Sequence, residues 1–311
     1  MNKRDQTRYT EIETKLLEFH NRNISLPGIL NANQRNVFIK QILDSMRRIE
    51  YVYAICQRNI NQDRSDPATA LFDPIKAAIY QHRQGNIDEA FWLIFLSINY
   101  GKHLTHGWRM VREVYGELDS GNIWTWGRVS TNPDDFTNWI TANYKNIISA
   151  FGNHRKYESL RPDAQRSPAE VVTSYIHWVG DNHSHLDLII RFQKECNSDS
   201  RLMFSKMYRS LNSVVSFGRT TRFDYLTMVA KLGLINIVPD ATYMQGATGP
   251  YSGANLLFTG NLNTNSKKTE LERQLILLED KLPLGNMGMQ VLEDALCNWQ
   301  KAPRTYRLFK G

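Results

Sequence analysis

The stretch IDEAFWLIFLSINY, residues 87–100, contains the longest apolar run of the chain, residues 90–96. Its apolar side chains would fall on nearly every side of a helix, which predicts a helix buried in the middle of the core. Asn86 is the expected N-cap, and Asp88 and Glu89 suit the first turn, where the helix dipole favours negative charge. The run is far shorter than the roughly 20 residues that a membrane-spanning helix needs.

Helical spacing continues on both sides of this run. In residues 36–56 the apolar side chains recur three and four positions apart, so they share one helix face. Further predicted helices cover residues 133–151, 168–178, 184–196, 202–216, 220–231, 268–282 and 287–301. Strand signals are limited to residues 234–238 and 254–258, and the glycine-rich residues 239–260 are expected to form a loop.

The pattern predicts an all-α fold, as a single large helical domain or as two packed helical lobes. We expect residues 1–27 to form an N-terminal extension or helix and residues 28–311 to form the main helical domain. If the main domain has two lobes, the division is expected near residues 180–200.

Composition excludes several classes of protein. The 311 residues are 41% hydrophobic and 22% charged, as in globular rather than disordered or collagen-like chains. Three cysteines without C-x-x-C spacing exclude a disulfide scaffold. The formal net charge of +7 fits a polyanionic partner such as nucleic acid. The first twenty residues carry charge and no apolar core of a secretion signal, so we expect a soluble protein of a reducing cytoplasm.

The first candidate string is FGNHRKYESL, residues 151–160. Arg155 and Lys156 have the charge to grip a phosphate, and Asn153 adds a neutral hydrogen-bonding group. His154 titrates near neutral pH and is a candidate for proton transfer. The alternative interpretation is a solvated helix start without a ligand.

The second candidate string is FGRTTRFDY, residues 217–225. Arg219 and Arg222 are three positions apart and share a helix face, which suits an anion beside a nucleobase. The following residues 231–235, with Gly233 as a turn, weakly suggest a helix-hairpin-helix. The alternative interpretation is a basic surface helix.

The third candidate string, residues 245–253, has small residues and hydroxyls that let backbone N–H groups approach an anion. Thr248, Gly249 and Ser252 are the candidate contacts, and a plain connecting loop is the alternative. No Gly-Lys-Ser/Thr follows the glycines, which excludes a P-loop kinase.

The fourth candidate string, residues 289–299, predicts an amphipathic helix. Glu293, Asp294 and Cys297 fall opposite its apolar stripe, on a face that meets either solvent or a polar pocket. The pairs His103 with His106 and His183 with His185 have no clear third ligand nearby in the sequence, so we predict no metal site.

Together these strings resemble the alpha-glutamyl/putrescinyl thymine pyrophosphorylase group, and within it a clade described as amino acid:DNA transferases. The resemblance extends from about residue 28 to the C-terminus. The matching blocks are residues 41–48, 71–78, 91–102, 151–160, 217–225, 246–258 and 292–301. The family is related to helix-hairpin-helix DNA glycosylases, which agrees with the all-α prediction.

The resemblance implies hypermodification of thymine in bacteriophage DNA, in the cytoplasm of the infected bacterial host and without a membrane. A separate P-loop kinase first pyrophosphorylates 5-hydroxymethyluracil in DNA. The transferase then replaces the pyrophosphate with an amine from an amino acid or a polyamine. Residues 28–311 would be this DNA-modifying transferase domain, and no cofactor is predicted, although a divalent cation stays open.

The chemistry divides the candidate residues into three roles. Negative charge grows on the departing pyrophosphate and requires cations or N–H donors, for which we expect Asn153, Arg155, Lys156, Arg219, Arg222, Thr248, Gly249 and Ser252. The amine must lose a proton, for which the candidates are His154, Glu158, Asp224, Glu293 and Asp294. A base flipped from the duplex needs an aromatic wall, for which the candidates are Tyr157, Phe223 and Tyr225.

Several alternatives stay open. The thiol of Cys297 adds to ring carbon 6 in one route, whereas in the other the ring expels pyrophosphate and leaves an exocyclic methylene for the amine. We favour the second route because Cys297 lacks an obvious cation that would activate its thiol. A base-excising enzyme of the DNA glycosylase kind and a non-enzymatic DNA-binding protein are the competing functions.

Overall fold

The computed structural model describes residues 2–308, with the side chain of Asn153 left out. Within this part of the chain the all-α prediction is confirmed, because it forms fourteen α-helices and no strand beyond one isolated bridge between His103 and Gly107. The helices are α1 (Lys3–Arg22), α2 (Ala32–Gln57), α3 (Pro74–Arg83), α4 (Ile87–Tyr100), α5 (Arg109–Tyr115), α6 (Trp126–Thr131), α7 (Pro133–Asn143), α8 (Pro168–Val179), α9 (His185–Glu195), α10 (Ser200–Ser210), α11 (Arg219–Lys231), α12 (Gly249–Thr259), α13 (Lys268–Glu279) and α14 (Gly288–Trp299).

The described chain forms two compact units. The terminal unit comprises residues 2–53 and 238–308, with α1, most of α2 and α12–α14. The central unit comprises Ala54–Ile237, with α3–α11. The units therefore divide at other positions than residues 180–200. Among the described helices, none combines the length and apolarity needed to cross a bilayer.

Helix α4 organises the core of the central unit. Every residue of the apolar run 90–96 is fully buried, as the sequence predicts, and α4 packs against α3, α5, α6, α9 and α11. Trp92 donates its indole N–H to the carbonyl of Trp124 at 2.7 Å, and the ring of Phe95 stacks on that of Tyr175. Asn86 occupies the predicted N-cap position, but its side chain donates to Gln81 and caps no N–H group of the helix.

Two predictions for the glycine-rich region are wrong. Residues 254–258 are not a strand and residues 239–260 are not all loop, because α12 begins at Gly249 and contains the whole of 254–258. Residues 234–238 form no strand either, since the described chain offers them no second strand with which to pair.

The glycines of α12 allow this helix to lie close against α14. Gly249 and Gly253 are four positions apart and therefore lie on the same helix face. A Cβ atom at Gly253 would lie 2.4 Å from the carbonyl oxygen of Leu296, and one at Gly249 would lie 2.9 Å from Sγ of Cys297. Close packing of two helices thus explains why both positions are glycine.

Gly253→Ala is expected to lower the free energy of unfolding by about 2–3 kcal/mol, because the new methyl group meets backbone that cannot rotate away. Gly127→Ala is the matched control, since no atom lies within 4 Å of its new Cβ. Chemical denaturation of both variants measures the difference. Equal stability of the two variants would contradict the close contact of α12 with α14.

Candidate active site

The structure brings the four candidate strings together in pairs. In the central unit, residues 151–160 contact residues 217–225, because Nη1 of Arg155 donates to Oγ1 of Thr221 at 2.9 Å. In the terminal unit, residues 245–253 contact residues 289–299 where α12 packs against α14. Each unit therefore holds two of the four strings.

Arg155 is buried, with 6% of its surface exposed, and all five N–H groups of its guanidinium have acceptors. Nε and Nη2 donate to the carbonyl and the side-chain oxygen of Asn99, both at 2.8 Å. Nη2 and Nη1 also donate to the hydroxyl and the carbonyl of Ser216 at 2.9 Å, and Nη1 reaches Thr221. This arrangement leaves Arg155 no N–H for the pyrophosphate contact that the sequence predicts.

The bonds of Arg155 join three elements of the central unit. Asn99 belongs to the last turn of α4, Ser216 to the turn before α11, and Thr221 to the first turn of α11. Burial lowers the pKa of the guanidinium, and the carboxylate of Glu158, 3.9 Å away, partly offsets this effect. Arg155 is therefore a positioning residue that fixes α11 to the end of α4.

Helices α10 and α11 are joined by the turn 211–218. Ser216 has a left-handed conformation, with φ of 67°, that its two bonds from Arg155 stabilise. The helix-hairpin-helix that the sequence weakly suggests around Gly233 is not formed, because residues 232–248 contain no helix in the structure. We call α10, the turn 211–218 and α11 the helical hairpin.

Gly218 lies exposed at the tip of the helical hairpin. Its φ of −68° is open to any residue, and a Cβ atom there would meet nothing within 4 Å. The fold therefore does not require glycine at this position. Close approach of a ligand to the backbone would require it, because a side chain would stand between the two.

Arg219 and Arg222 extend the basic character of the hairpin along α11. Both side chains are half-buried. The guanidinium of Arg222 lies over the ring of Tyr208 at 4.4 Å, and that of Arg219 lies 5.7 Å from the ring centre of Phe223. Nη1 of Arg222 also donates to the carbonyl of Tyr208 at 3.3 Å, so this guanidinium is held against α10.

The three predicted stacking residues differ in accessibility. Tyr157 is 83% exposed, and Nζ of Lys156 lies 5.0 Å from its ring centre. Phe223 and Tyr225 are buried in the core, where no base reaches them in this conformation. Tyr157 is thus the accessible aromatic side chain of the set.

The other candidates of the central unit lie at its surface or partly beneath it. His154 and Lys156 are exposed, and Glu158 and Asp224 are half-buried. The side chain of Asn153 lies outside the described part of the structure. Their catalytic or binding roles stay predictions.

In the terminal unit, α14 has the predicted amphipathic character. The apolar residues Val291, Leu292, Ala295, Leu296 and Trp299 are fully buried, whereas Glu293, Asp294 and Cys297 are half-buried. Oδ2 of Asp294 accepts hydrogen bonds from Oγ of Ser45 at 2.8 Å and from Nη2 of Arg48 at 3.2 Å. Thr248 is exposed and Ser252 half-buried at the start of α12.

Sequence reasoning missed a hydrogen-bonded network in the core of the central unit. Oδ1 of Asp88 accepts from the backbone N–H of His185 at 2.6 Å and lies 2.8 Å from its Nδ1. Nε2 of His185 lies 2.8 Å from the hydroxyl of Tyr175, which lies 2.8 Å from the hydroxyl of Tyr225. The four residues come from α4, α8, α9 and α11, so no local spacing in the sequence reveals the network.

Burial sets the protonation of this network. Burial lowers the pKa of His185, and Asp88 offsets only part of this effect, so the ring is neutral. Burial alone would raise the pKa of Asp88, but hydrogen bonds from the ring and backbone of His185 outweigh it and hold this pKa below its usual range. Nδ1–H therefore donates to the carboxylate, Nε2 accepts from Tyr175, and Tyr225 donates to Tyr175.

The described residues include no group of three or more His, Cys, Asp or Glu side chains arranged to hold a metal ion. The rings of His103 and His106 stack on each other, with 4.7 Å between their centres. His185 is occupied by its bonds in the core network.

Comparison with known proteins gives one family. The family model of alpha-glutamyl/putrescinyl thymine pyrophosphorylase clade 3 matches residues 33–311, which include all four candidate strings. No curated protein and no solved structure matches the chain.

Arg155→Lys is expected to lower the free energy of unfolding by about 3 kcal/mol or more, because one ammonium group cannot serve five acceptors on three elements. Arg161→Lys is the control, since Arg161 is exposed and pairs with the exposed Asp163. Chemical denaturation compares the two variants with the wild type. A fully stable Arg155→Lys variant would contradict the positioning role.

His185→Gln is expected to flatten the pH dependence of stability. Burial holds the native pKa of His185 below its ordinary value of 6.5, so as the pH falls the unfolded chain takes up this proton first and stability is lost. Asp88, whose native pKa is also lowered, adds loss in the same direction at more acidic pH. Unfolding free energies at about pH 7 and pH 5 measure the slope, and equal slopes would contradict a neutral buried ring.

Proposed function

Because the chain belongs to the alpha-glutamyl/putrescinyl thymine pyrophosphorylase clade 3 family, whose name describes enzymes of thymine modification, we propose that it is an amine:DNA transferase. It transfers an amine from an amino acid or a polyamine onto pyrophosphorylated 5-hydroxymethyluracil in DNA. The observation that carries this proposal is the family match, which covers residues 33–311.

The helical hairpin supports the contact with DNA. Gly218 leaves its backbone accessible, and Arg219 and Arg222 supply positive charge directly behind it. Lys156 and the exposed ring of Tyr157 follow Arg155, which itself bonds the hairpin at Ser216. In the proposed complex the cations contact phosphates, and Tyr157 stacks against the flipped base.

The proposed reaction forms one bond and breaks another at the carbon attached to position 5 of the uracil ring. The amine nitrogen bonds to this carbon, the bond from this carbon to the pyrophosphate oxygen breaks, and the nitrogen loses a proton to a base. Lys156, Arg219 and Arg222 stabilise the charge that grows on pyrophosphate. Within the central unit, the candidate bases are His154, Glu158 and Asp224.

The geometry of Cys297 supports the route without a covalent thiol intermediate. Its Sγ lies where α12 packs on α14, so close to Gly249 that a Cβ atom there would come within 2.9 Å. A sulfur packed against a helix backbone is poorly placed to add to a ring carbon. We therefore propose the exocyclic methylene route, in which the residues act by charge and orientation.

The proposal also places the protein in a sequence of reactions. A separate kinase must supply the pyrophosphorylated base, because the chain has no phosphate-binding loop of the P-loop kind. The proposed setting is the cytoplasm of an infected bacterium, with modified DNA and an amine donor as partners and without a cofactor.

Nucleoside mass spectrometry tests the proposal. Duplex DNA with pyrophosphorylated 5-hydroxymethyluracil is incubated with the protein and a pool of amino acids and polyamines, then digested. The expected result is an aminomethyl-uridine adduct with release of pyrophosphate. Arg219→Ala with Arg222→Ala should slow this reaction by about 100-fold or more, because stabilisation of the leaving group is lost.

Arg273→Ala is the control for the loss of a cation, since Arg273 is exposed on α13 of the terminal unit and pairs with Glu270. It should react as the wild type does. Release of the free base would establish an excising enzyme instead of a transferase. Unchanged nucleosides in DNA that the protein still binds would establish a binding protein.

A further inference from the structure

A cleft of about 690 Å³ in the central unit combines acidic and apolar surface. It lies where α4 begins, and Asp88 and Glu89 from the first turn of that helix line it. Ile123 and Leu186 add exposed apolar surface. No Lys, Arg or His occurs among the described residues that line the cleft. Its charge is therefore negative, although the chain as a whole is basic.

The two carboxylate oxygens of Asp88 differ in their hydrogen bonds. Oδ1 accepts both bonds from His185, whereas Oδ2 has no hydrogen bond to any residue that the structure describes. The side chain is 40% exposed, and its pKa is held below the usual range. Asp88 thus presents an ionised, oriented oxygen to the cleft.

Glu89 is arranged differently from Asp88. Its Oε1 accepts from the hydroxyl of Tyr115 at 2.5 Å, and its Oε2 accepts from the backbone N–H of Trp126 at 2.7 Å. With both oxygens occupied, Glu89 contributes to the shape of the cleft and leaves Asp88 as the accessible acceptor.

We propose that this cleft binds a primary alkylammonium group. The ammonium donates to Oδ2 of Asp88, and the alkyl chain lies against Ile123 and Leu186. A carboxylate at the same place is repelled, because the lining offers it no cation. His185 is a positioning residue, since its two bonds fix the carboxylate of Asp88 without contact with the ligand.

The binding of an alkylammonium group is inferred from the charge and the apolar surface of the cleft alone. Only the identification of its occupant as the amine donor of the transfer reaction rests on the proposed function. The cleft then favours donors that carry an ammonium group on an alkyl chain, such as polyamines, over donors with a carboxylate beside the amine.

Calorimetric titration of the full chain without DNA tests the binding site, with n-butylammonium as the probe and n-butyrate as the matched anion. The proposal predicts saturable binding of n-butylammonium and none of n-butyrate. Asp88→Asn should weaken n-butylammonium about tenfold or more, because a charge-assisted hydrogen bond is lost. His185→Gln should weaken it less, since the carboxylate remains but is less firmly held.

Asp134→Asn is the matched control, because Asp134 is an exposed acid in the first turn of α7 and does not line the cleft. It should bind n-butylammonium as the wild type does. Leu186→Arg is a second test that leaves the core network intact, since Leu186 is 48% exposed. The new cation should abolish binding of n-butylammonium and admit n-butyrate.

Binding of n-butylammonium that Asp88→Asn and Leu186→Arg both leave unchanged would overturn the site. Absence of binding to the wild type would also overturn it, whatever the enzyme does to DNA. If the DNA reaction occurs and its dependence on amine concentration is the same in Asp88→Asn as in the wild type, the occupant is not the amine donor.

Discussion

The buried guanidinium of Arg155 is the interaction on which the geometry of the central unit depends. Its five hydrogen bonds hold the end of α4, the turn 211–218 and the start of α11 together. A buried cation is costly unless all of its donors are satisfied. The bonds therefore permit few arrangements of these elements. They also fix the position of the exposed tip of the helical hairpin.

A second set of bonds ties the same helices together nearer the other end of α4. Asp88 in the first turn of α4 is linked through His185 and Tyr175 to Tyr225 of α11. Asp88 and Asn99 lie about 16 Å apart along the axis of α4, from the rise of 1.5 Å per residue. One buried helix thus positions both the acidic cleft and the basic hairpin, whose charges suit an ammonium ion and a polyanion.

The sequence predicts the fold well where burial alone decides it. The run 90–96 is apolar all round and forms the central helix, and the stripe of α14 is buried as its spacing indicates. The glycines of residues 245–253 are a different case. Glycine permits close approach of a ligand or of another helix, and a single sequence does not distinguish the two. The structure shows that Gly249 and Gly253 face α14.

The candidate site is harder to predict for a related reason. Residue type shows that Arg155 can bind a phosphate, but only its environment shows that Asn99, Ser216 and Thr221 occupy its donors. The core network joins residues 88, 175, 185 and 225, which are distant in the chain. Such a set is found from tertiary structure, because neither helical spacing nor a local motif connects its members.

Hydrogen–deuterium exchange with and without duplex DNA shows whether the helical hairpin contacts DNA, because it reports on the backbone of the hairpin itself. We expect DNA to slow exchange in residues 214–222, where Gly218 exposes the backbone between the bonds from Arg155. If the protein binds DNA but exchange slows only outside residues 214–222, the helical hairpin is not the DNA contact.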